Sequence, residues 1–271
     1  MKLSGPLLLV GCGKMGGALL EGWLHRGLEA GEVWIVEPNA APVQHFLDRG
    51  AHHAEGAAEL PPEIRPALIV FAVKPQMLAE TLPHYRGFAA AGAAVVSIAA
   101  GWRIAAFEEV LGAQTPVVRA MPNTPAAVGR GMTVLCANPH CGQSLRDLAG
   151  ELLSAVGAVA WIDSEALMDA VTAVSGSGPA YVFLLIECLA EAGVEAGLPA
   201  DLAMQLARVT VAGAGALVDQ SADPAATLRK NVTSPGGTTQ AALEVLMAED
   251  GLQPLMTKAI AAAAARSREL G

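Results

Sequence analysis

The spacing of apolar residues changes character near residue 163. Before that point, short unbroken apolar runs recur at Leu7 to Val10, Val33 to Val36, Ala67 to Ala72, Ala94 to Ile98, Pro116 to Met121, Met132 to Cys136 and Val159 to Ile162. Runs this short, bounded by turn residues, read as buried strands. Amphipathic patterns over Gly17 to His25, Ala105 to Leu111 and Ser144 to Val156 read as helices between some of them. Strands alternating with helices predict a mostly parallel, doubly wound sheet, whose ligands bind at the carboxyl ends of the strands. After Asp163 the strand signals stop, and helical patterns rich in Ala, Gly, Leu and Met run to the end, including Tyr181 to Gly193 and Gln240 to Leu246. The expected architecture is therefore α/β, with a doubly wound sheet over 1–162 and an all-α domain over 163–271.

The loops between these elements carry the candidate chemistry. The first strand runs directly into Gly11-Cys12-Gly13-Lys14-Met15-Gly16, and a helix follows. This is G-x-G-x-x-G in the context that gives it meaning. The first glycine makes the tight turn, the second lets the backbone approach a pyrophosphate, and the third lets helix pack on strand. The second strand ends in Glu37, the spacing at which an acidic residue meets an adenosine ribose. Residues 1–162 thus read as a Rossmann-type dinucleotide-binding domain. Three further loops at strand ends, Val73-Lys74-Pro75, Ala99-Ala100-Gly101 and Met121-Pro122-Asn123, are candidates for the same cleft. Pro and Gly also mark ordinary turns.

In the helical half, Asn231-Val232-Thr233-Ser234-Pro235-Gly236-Gly237-Thr238-Thr239 places Ser and Thr hydroxyls around two glycines just before a helix. Bare N–H groups at a helix start, helped by the helix dipole, hold a carboxylate or phosphate. The plain alternative is an N-cap, since Ser or Thr before a helix and Pro-Gly in a turn are ordinary punctuation. Ser175-Gly176-Ser177-Gly178-Pro179-Ala180 does not fit a hydrolase elbow, because all six histidines lie in the first domain. Those small residues, like Ala212-Gly213-Ala214-Gly215-Ala216, read as sites of close helix approach. No metal centre is expected; His52-His53 are adjacent, no carboxylate or cysteine cluster joins them, and the pair reads as a solvated loop.

Composition narrows the partners. The chain has 271 residues, 53% of them apolar, and a formal charge of −9. That charge argues against nucleic acid, which asks for a basic face, so the partner is expected to be a small molecule. The longest nearly apolar runs, such as Ala89 to Gly101, fall short of the roughly 20 residues of a spanning helix, and Leu7 to Val10 is too short for a signal-peptide core. No membrane helix and a cytoplasmic location are expected. Cys12, Cys136, Cys141 and Cys188 form no C-x-x-C and are expected to be reduced and mostly buried. So many small and apolar helical faces predict burial against a second copy.

Taken together, Gly-Cys-Gly-Lys-Met-Gly (11–16), Ala-Val-Lys-Pro-Gln (72–76), Ser-Ile-Ala-Ala-Gly (97–101), Arg-Ala-Met-Pro-Asn-Thr-Pro (119–125), Ser-Gly-Ser-Gly-Pro-Ala-Tyr (175–181), Val-Thr-Ser-Pro-Gly-Gly-Thr-Thr (232–239) and Arg-Ser-Arg-Glu-Leu (266–270) resemble the pyrroline-5-carboxylate reductases, over nearly the whole chain. The resemblance implies NADPH or NADH as cofactor, held by Gly11, Cys12, Gly13, Lys14, Met15, Gly16, Glu37, Asn39, Ala72, Val73, Lys74, Pro75, Ala99, Ala100, Gly101, Met121 and Asn123. It implies a substrate held by Ser234, Gly236, Gly237 and Thr238, with Asn231 and Glu165 nearby and Thr239 aimed at the imine nitrogen. It also implies a homodimer interlocked through the helical domain, in some members a ring of dimers, with the active site between one subunit's cofactor cleft and the dimer's helices. At the adenosine end the chain departs from the NADPH pattern. Glu37-Pro38-Asn39 stand where a serine, threonine or basic residue would meet a 2′-phosphate, and Glu55 to Pro66 lacks the expected Asn and Asp. Two other readings are a reductase for another cyclic imine and a dinucleotide-binding regulator that no longer catalyses. The complete 232–239 motif and the retained Thr239 argue against both.

Overall fold

The computed structural model describes residues 3–271. Its strands are β1 (Leu7–Val10), β2 (Val33–Val36), β3 (His52–Ala54), β4 (Leu68–Phe71), β5 (Ala94–Ser97), β6 (Val117–Met121), β7 (Gly131–Ala137) and β8 (Gly157–Trp161). They form one sheet in the order β3-β2-β1-β4-β5-β6-β7-β8. All neighbours are parallel except β6 and β7, which run antiparallel. The link between those two, residues 122–130, is shorter than the dozen or more residues a parallel crossover needs.

Helices α1 (Lys14–His25), α2 (Gln44–Leu47), α3 (Pro75–Thr81), α4 (Arg86–Ala90), α5 (Ile104–Leu111) and α6 (Gln143–Leu153) accompany the sheet. Strand β1 is buried at every position, and its alternate side chains divide between two cores. Leu7 and Leu9 pack with Leu19, Leu20 and Trp23 of α1, while Leu8 and Val10 pack with Leu78, Tyr85 and Phe107. Each such burial contributes about 1.5–3 kcal/mol, so the position of α1 against the sheet is strongly fixed. Trp23 adds direction, since its Nε1 donates to the Leu152 carbonyl at the end of α6, 2.8 Å away. The glycine-rich loop before α1 is therefore held from both sides.

The His52-His53 expectation is corrected. The pair forms edge strand β3, paired with β2 in register Trp34↔His52 and Ile35↔His53. His52 stacks on Trp34 with ring centroids 4.6 Å apart, and His53 Nε2 lies 2.8 Å from the Glu37 carbonyl. A three-residue strand containing two histidines carries no apolar alternation to reveal it.

The helical part comprises α7 (Met168–Val171), a π-helical turn at Thr172–Gly176, α8 (Gly178–Glu195), α9 (Ala200–Gln220), α10 (Ala225–Asn231), α11 (Thr238–Leu246) and α12 (Leu252–Leu270). By contacts the chain forms two units, residues 1–176 with 264–271, and residues 177–263. In the second unit α8 and α9 approach through small residues. Ala190, Ala203 and Ala207 are buried, and a methyl on Gly193 would stand 3.2 Å from the Ala203 Cβ. Most large apolar side chains of these helices face outward instead, among them Phe183, Leu206, Val209 and Leu217. Glu165–Glu195 and Ala200–Gln220 are also long and apolar enough, by length and composition, to cross a membrane. Uninterrupted apolar run length did not show this, because Glu187, Glu191, Arg208 and Asp219 break the runs.

Candidate functional site

The sheet order reverses between β1 and β4, the place where doubly wound sheets bind ligands. Gly11 leaves β1 there with φ +88°, and a Cβ on it would stand 2.8 Å from the Val73 nitrogen and Cγ1. Only glycine fits. A Cβ on Gly16 would collide with the Gly11 carbonyl, so α1 crosses close to the loop. Gly13, the N-cap of α1, has nothing within 4 Å of its missing Cβ, and the first turn of α1 carries no acidic residue. An open backbone at the positive end of a 12-residue helix fits a pyrophosphate.

Glu37, at the end of β2, lies against this loop. Its Oε2 accepts from the Cys12 N–H at 2.9 Å, and its backbone is held by β3 through Ala54 and His53. His53 is thus a supporting residue that sequence reasoning missed. The Cys12 thiol is buried, and burial, then the Glu37 charge, push its pKa up to about 12. It remains a neutral packing group and no nucleophile. The Asn39 side chain closes a turn on the Ala41 N–H at 3.0 Å. Beside Cys12, Gly13 and Lys14 a cleft of about 350 Å³ opens toward Pro42 and His45.

The other candidate loops gather along the same strand ends, since β1, β4, β5 and β6 are successive neighbours. Ala72 donates to Val10, Lys74 is the N-cap of α3, and Pro75 its first residue. Trp102 Nε1 donates to the Pro75 carbonyl at 3.0 Å, joining two of these loops. The Ala99 N–H meets Ser97 Oγ at 3.2 Å, and Ala100 leads to Gly101 at φ +81°. After Met121, Asn123 is taken up within the protein. Its Nδ2 donates to the carbonyl and hydroxyl of Ser175, and its Oδ1 accepts from the Met132 N–H at 2.8 Å. The side chain of Asn123 fixes the loop, which leaves the loop backbone for a ligand. The small-residue reading of 175–178 also has a local reason, because a Cβ on Gly176 would stand 2.6 Å from Met121 Cε.

Glu165 lies deeper in the protein's own architecture than its place in the family pattern suggests. Its Oε1 accepts from Arg119 Nη1 at 2.7 Å and from the Ile104 N–H at 2.9 Å. Arg119 on β6 is almost wholly buried.

In the second unit, Asn231 ends α10 and Gly237 is the N-cap of α11. The expectation of two bare glycine N–H groups is corrected. Gly236 donates to Gln240 Oε1 at 2.7 Å and Gly237 to the Ser234 carbonyl at 3.0 Å. Gln240, three residues after the cap, reaches back past it to the residue before, a variation on the capping box whose spacing is readable in the sequence. The N–H groups left for an anion are therefore those of Thr238 and Thr239 in the first turn. No side chain caps α11, so the plain N-cap reading of the Ser and Thr residues does not hold. Thr233 bonds back to the Arg229 carbonyl. Among the described residues, the hydroxyls of Ser234, Thr238 and Thr239 have no hydrogen-bond partner. No group of three or more His, Cys, Asp or Glu at metal-binding distance occurs among the described residues.

Comparison with known proteins bears on both halves. A family model for pyrroline-5-carboxylate reductase dimerisation matches residues 165–270, and one for NADP oxidoreductase, coenzyme F420-dependent, matches 7–101. The chain is 38% identical to the pyrroline-5-carboxylate reductase of Pseudomonas aeruginosa, covering 97% of this chain and 96% of that one. A solved pyrroline-5-carboxylate reductase from Coxiella burnetii superposes with a TM-score of 0.91 at 32% identity over 99% of both chains. The Plasmodium falciparum pyrroline carboxylate reductase, solved with NADP bound, superposes at 0.81 and 29% identity over the whole of both chains. With a dinucleotide loop at the switch point of its sheet and relatives matched from end to end, this chain belongs to the pyrroline-5-carboxylate reductase family.

Proposed function

We propose that the protein reduces 1-pyrroline-5-carboxylate to L-proline with NAD(P)H, the last step of proline biosynthesis, and that the 231–239 loop holds the substrate. The observation that carries the loop assignment is the set of unpartnered Ser234, Thr238 and Thr239 hydroxyls beside the free N–H groups at the start of α11. When bound, the reduced nicotinamide supplies the hydride that adds to the ring carbon of the C=N bond, and the nitrogen ends the reaction carrying a proton. Gly13 and the N-terminus of α1 cradle the pyrophosphate, while the 72–75, 99–101 and 121–123 loops border the rest of the cleft. Ser234 and the Thr238 and Thr239 N–H groups hold the substrate carboxylate, with Asn231 bordering the loop. Thr239 donates its hydroxyl to the ring nitrogen. A threonine hydroxyl is a poor acid at neutral pH, so its part is hydrogen bonding and proton relay. Glu165 acts through the residues it holds. By role the boundary is placed at 162/163, between a cofactor half and a substrate and dimerisation half, with 165–176 and 264–271 packing with the cofactor half.

The direct test measures NADPH and NADH oxidation with five- and six-membered cyclic imines. Turnover with pyrroline-5-carboxylate is expected, and turnover only with the six-membered imine would move the protein to another reductase class.

Cofactor preference turns on Glu37. A carboxylate accepts from a ribose 2′-OH and repels a 2′-phosphate, so NADH is expected to be a competent donor. Glu37→Ser is expected to raise the NADPH/NADH ratio of kcat/KM by about tenfold, the order of one lost charge repulsion. An unchanged ratio would shift the assignment to Asn39 or to Lys14 and His45 in the neighbouring cleft.

The chain is a homo-oligomer through its dimerisation region, and we propose a dimer or a ring of dimers in the cytoplasm, with the outward apolar faces of α8 and α9 set against a second copy. The charged positions along these helices, such as Glu187, Glu191 and Arg208, favour a protein partner over lipid. Gly213 and Gly215 have nothing within 4 Å of a missing Cβ in the single chain. Gly213→Glu is expected to give a monomer in light scattering with at least tenfold lower activity, on the scale of a buried unpaired charge. An active dimer would place the contact elsewhere.

A further inference from the structure

The end of α12 does not stay with the helices that precede it. Residues 264–271 belong by contacts to the sheet-bearing unit, and what they touch there is the candidate cofactor loop. Gly101 has φ +81°, and a Cβ on it would stand 3.0 Å from the Leu270 carbonyl oxygen and 3.8 Å from the Gly271 nitrogen. The backbone of α12's last turn thus lies flush against Gly101. One turn earlier, Ser267 is buried and its hydroxyl donates to Asp169 Oδ1 at 2.7 Å.

A buried serine in this helix needs a reason. The preceding run, Ala261 to Ala265, is nearly featureless, and alanine at 267 would be a better helix former with no polar group to desolvate. A run of alanines also sets neither the rotation nor the register of a helix end. The Ser267 hydroxyl does both, because its single partner is fixed on α7. That partner sits four residues after Glu165, whose carboxylate holds the Ile104 N–H at the other end of the same loop. The 99–104 segment is therefore bracketed, with Leu270 against Gly101 and Glu165 on Ile104, and both brackets hang from 165–169.

We infer that Ser267 is a positioning residue for the cofactor: through its bond to Asp169 it seats the last turn of α12 against Gly101 and so sets the 99–101 loop for the bound NAD(P)H. This rests on the reading of that loop as a cofactor contact. The role differs from plain stabilisation, because the bond is expected to act on the 99–101 loop and on cofactor affinity, with substrate affinity at the 231–239 segment unchanged.

The test uses the full chain with Ser267→Ala and Ser267→Thr, read by amide hydrogen exchange of residues 99–104 in the free enzyme and by the Kd and KM for NADPH and NADH. Ser267→Ala is expected to speed exchange in that loop and to raise cofactor Kd and KM by about three- to tenfold, the range of one net hydrogen bond. The KM for pyrroline-5-carboxylate is expected to stay within twofold, and Ser267→Thr, which keeps the hydroxyl, to restore the native values. Unchanged exchange over 99–104 would overturn the inference. Faster exchange with unchanged cofactor affinity would leave the seating intact and remove the loop from the cofactor site, which is a failure of the functional reading instead. If Ser267→Ala does not fold, Asp169→Ala removes the same bond from its other end and is expected to show the same split; equal loss of cofactor and substrate affinity there would also overturn the inference.

Discussion

Thr239→Val is expected to lower kcat by roughly ten- to a thousandfold, the scale of a lost positioned hydrogen bond or proton relay, while KM for the imine moves much less. Valine keeps the branched shape and removes the hydroxyl. The residue stands in the first turn of α11, half-buried, where Gly237 is the N-cap and no side chain caps the helix. Losing the hydroxyl therefore leaves no backbone N–H unsatisfied, and the melting temperature is expected to hold. Ser234→Ala is the control. A carboxylate contact is present in ground and transition states alike, so this variant is expected to raise KM more than it lowers kcat. Near-normal kcat for Thr239→Val across neutral pH would mean that the proton comes from solvent or that the substrate binds already as the iminium.

The features legible in the sequence share a physical cause. Central parallel strands are buried on both faces, so β1, β2, β4 and β5 appear as short apolar runs, Leu-Leu-Leu-Val in β1, with Trp34 in β2, Phe71 ending β4 and only Ser97 at the end of β5 polar. The glycine-rich loop is legible because Gly11 needs a positive φ and Gly16 needs the space of its missing side chain. Edge strand β3 left no such trace, as its stability comes from pairing with β2 and from the Trp34–His52 stack. The reversed direction of β7 was readable only as the shortness of 122–130. The two glycine N–H groups of the 231–239 loop looked bare although a glutamine four residues after Gly236 was readable as an acceptor; the other partner, the Ser234 carbonyl, is supplied by the turn itself. The resemblance placed Glu165 near the substrate. Its partners lie 46 and 61 residues away, a separation that no local pattern spans.

That long-range pairing makes Glu165 the second position of large effect, and two substitutions separate its possible roles. The Arg119 side chain is 5% exposed and Glu165 26%, so removing the carboxylate leaves a nearly buried guanidinium without its counter-charge. Breaking a buried pair costs about 3–5 kcal/mol, and the partial exposure of Glu165 places this one nearer the lower figure. For a chain of this size each kcal/mol is worth about 2–4 °C, so Glu165→Ala is expected to lower the melting temperature by roughly 6–12 °C. The same loss frees the Ile104 N–H at the start of α5 and loosens the 99–104 loop, so cofactor KM is expected to rise as well. Glu165→Gln keeps an acceptor for Ile104 and removes the charge. If the carboxylate serves mainly to hold Arg119 and Ile104, Glu165→Gln is expected to recover part of the melting temperature and most of the cofactor affinity, with substrate KM near native. If its charge instead acts on the imine directly, Glu165→Gln would show the same partial loss of melting temperature and the same cofactor KM yet lose kcat and substrate affinity, and the effect would grow as pH rises and fewer imine molecules carry their own proton.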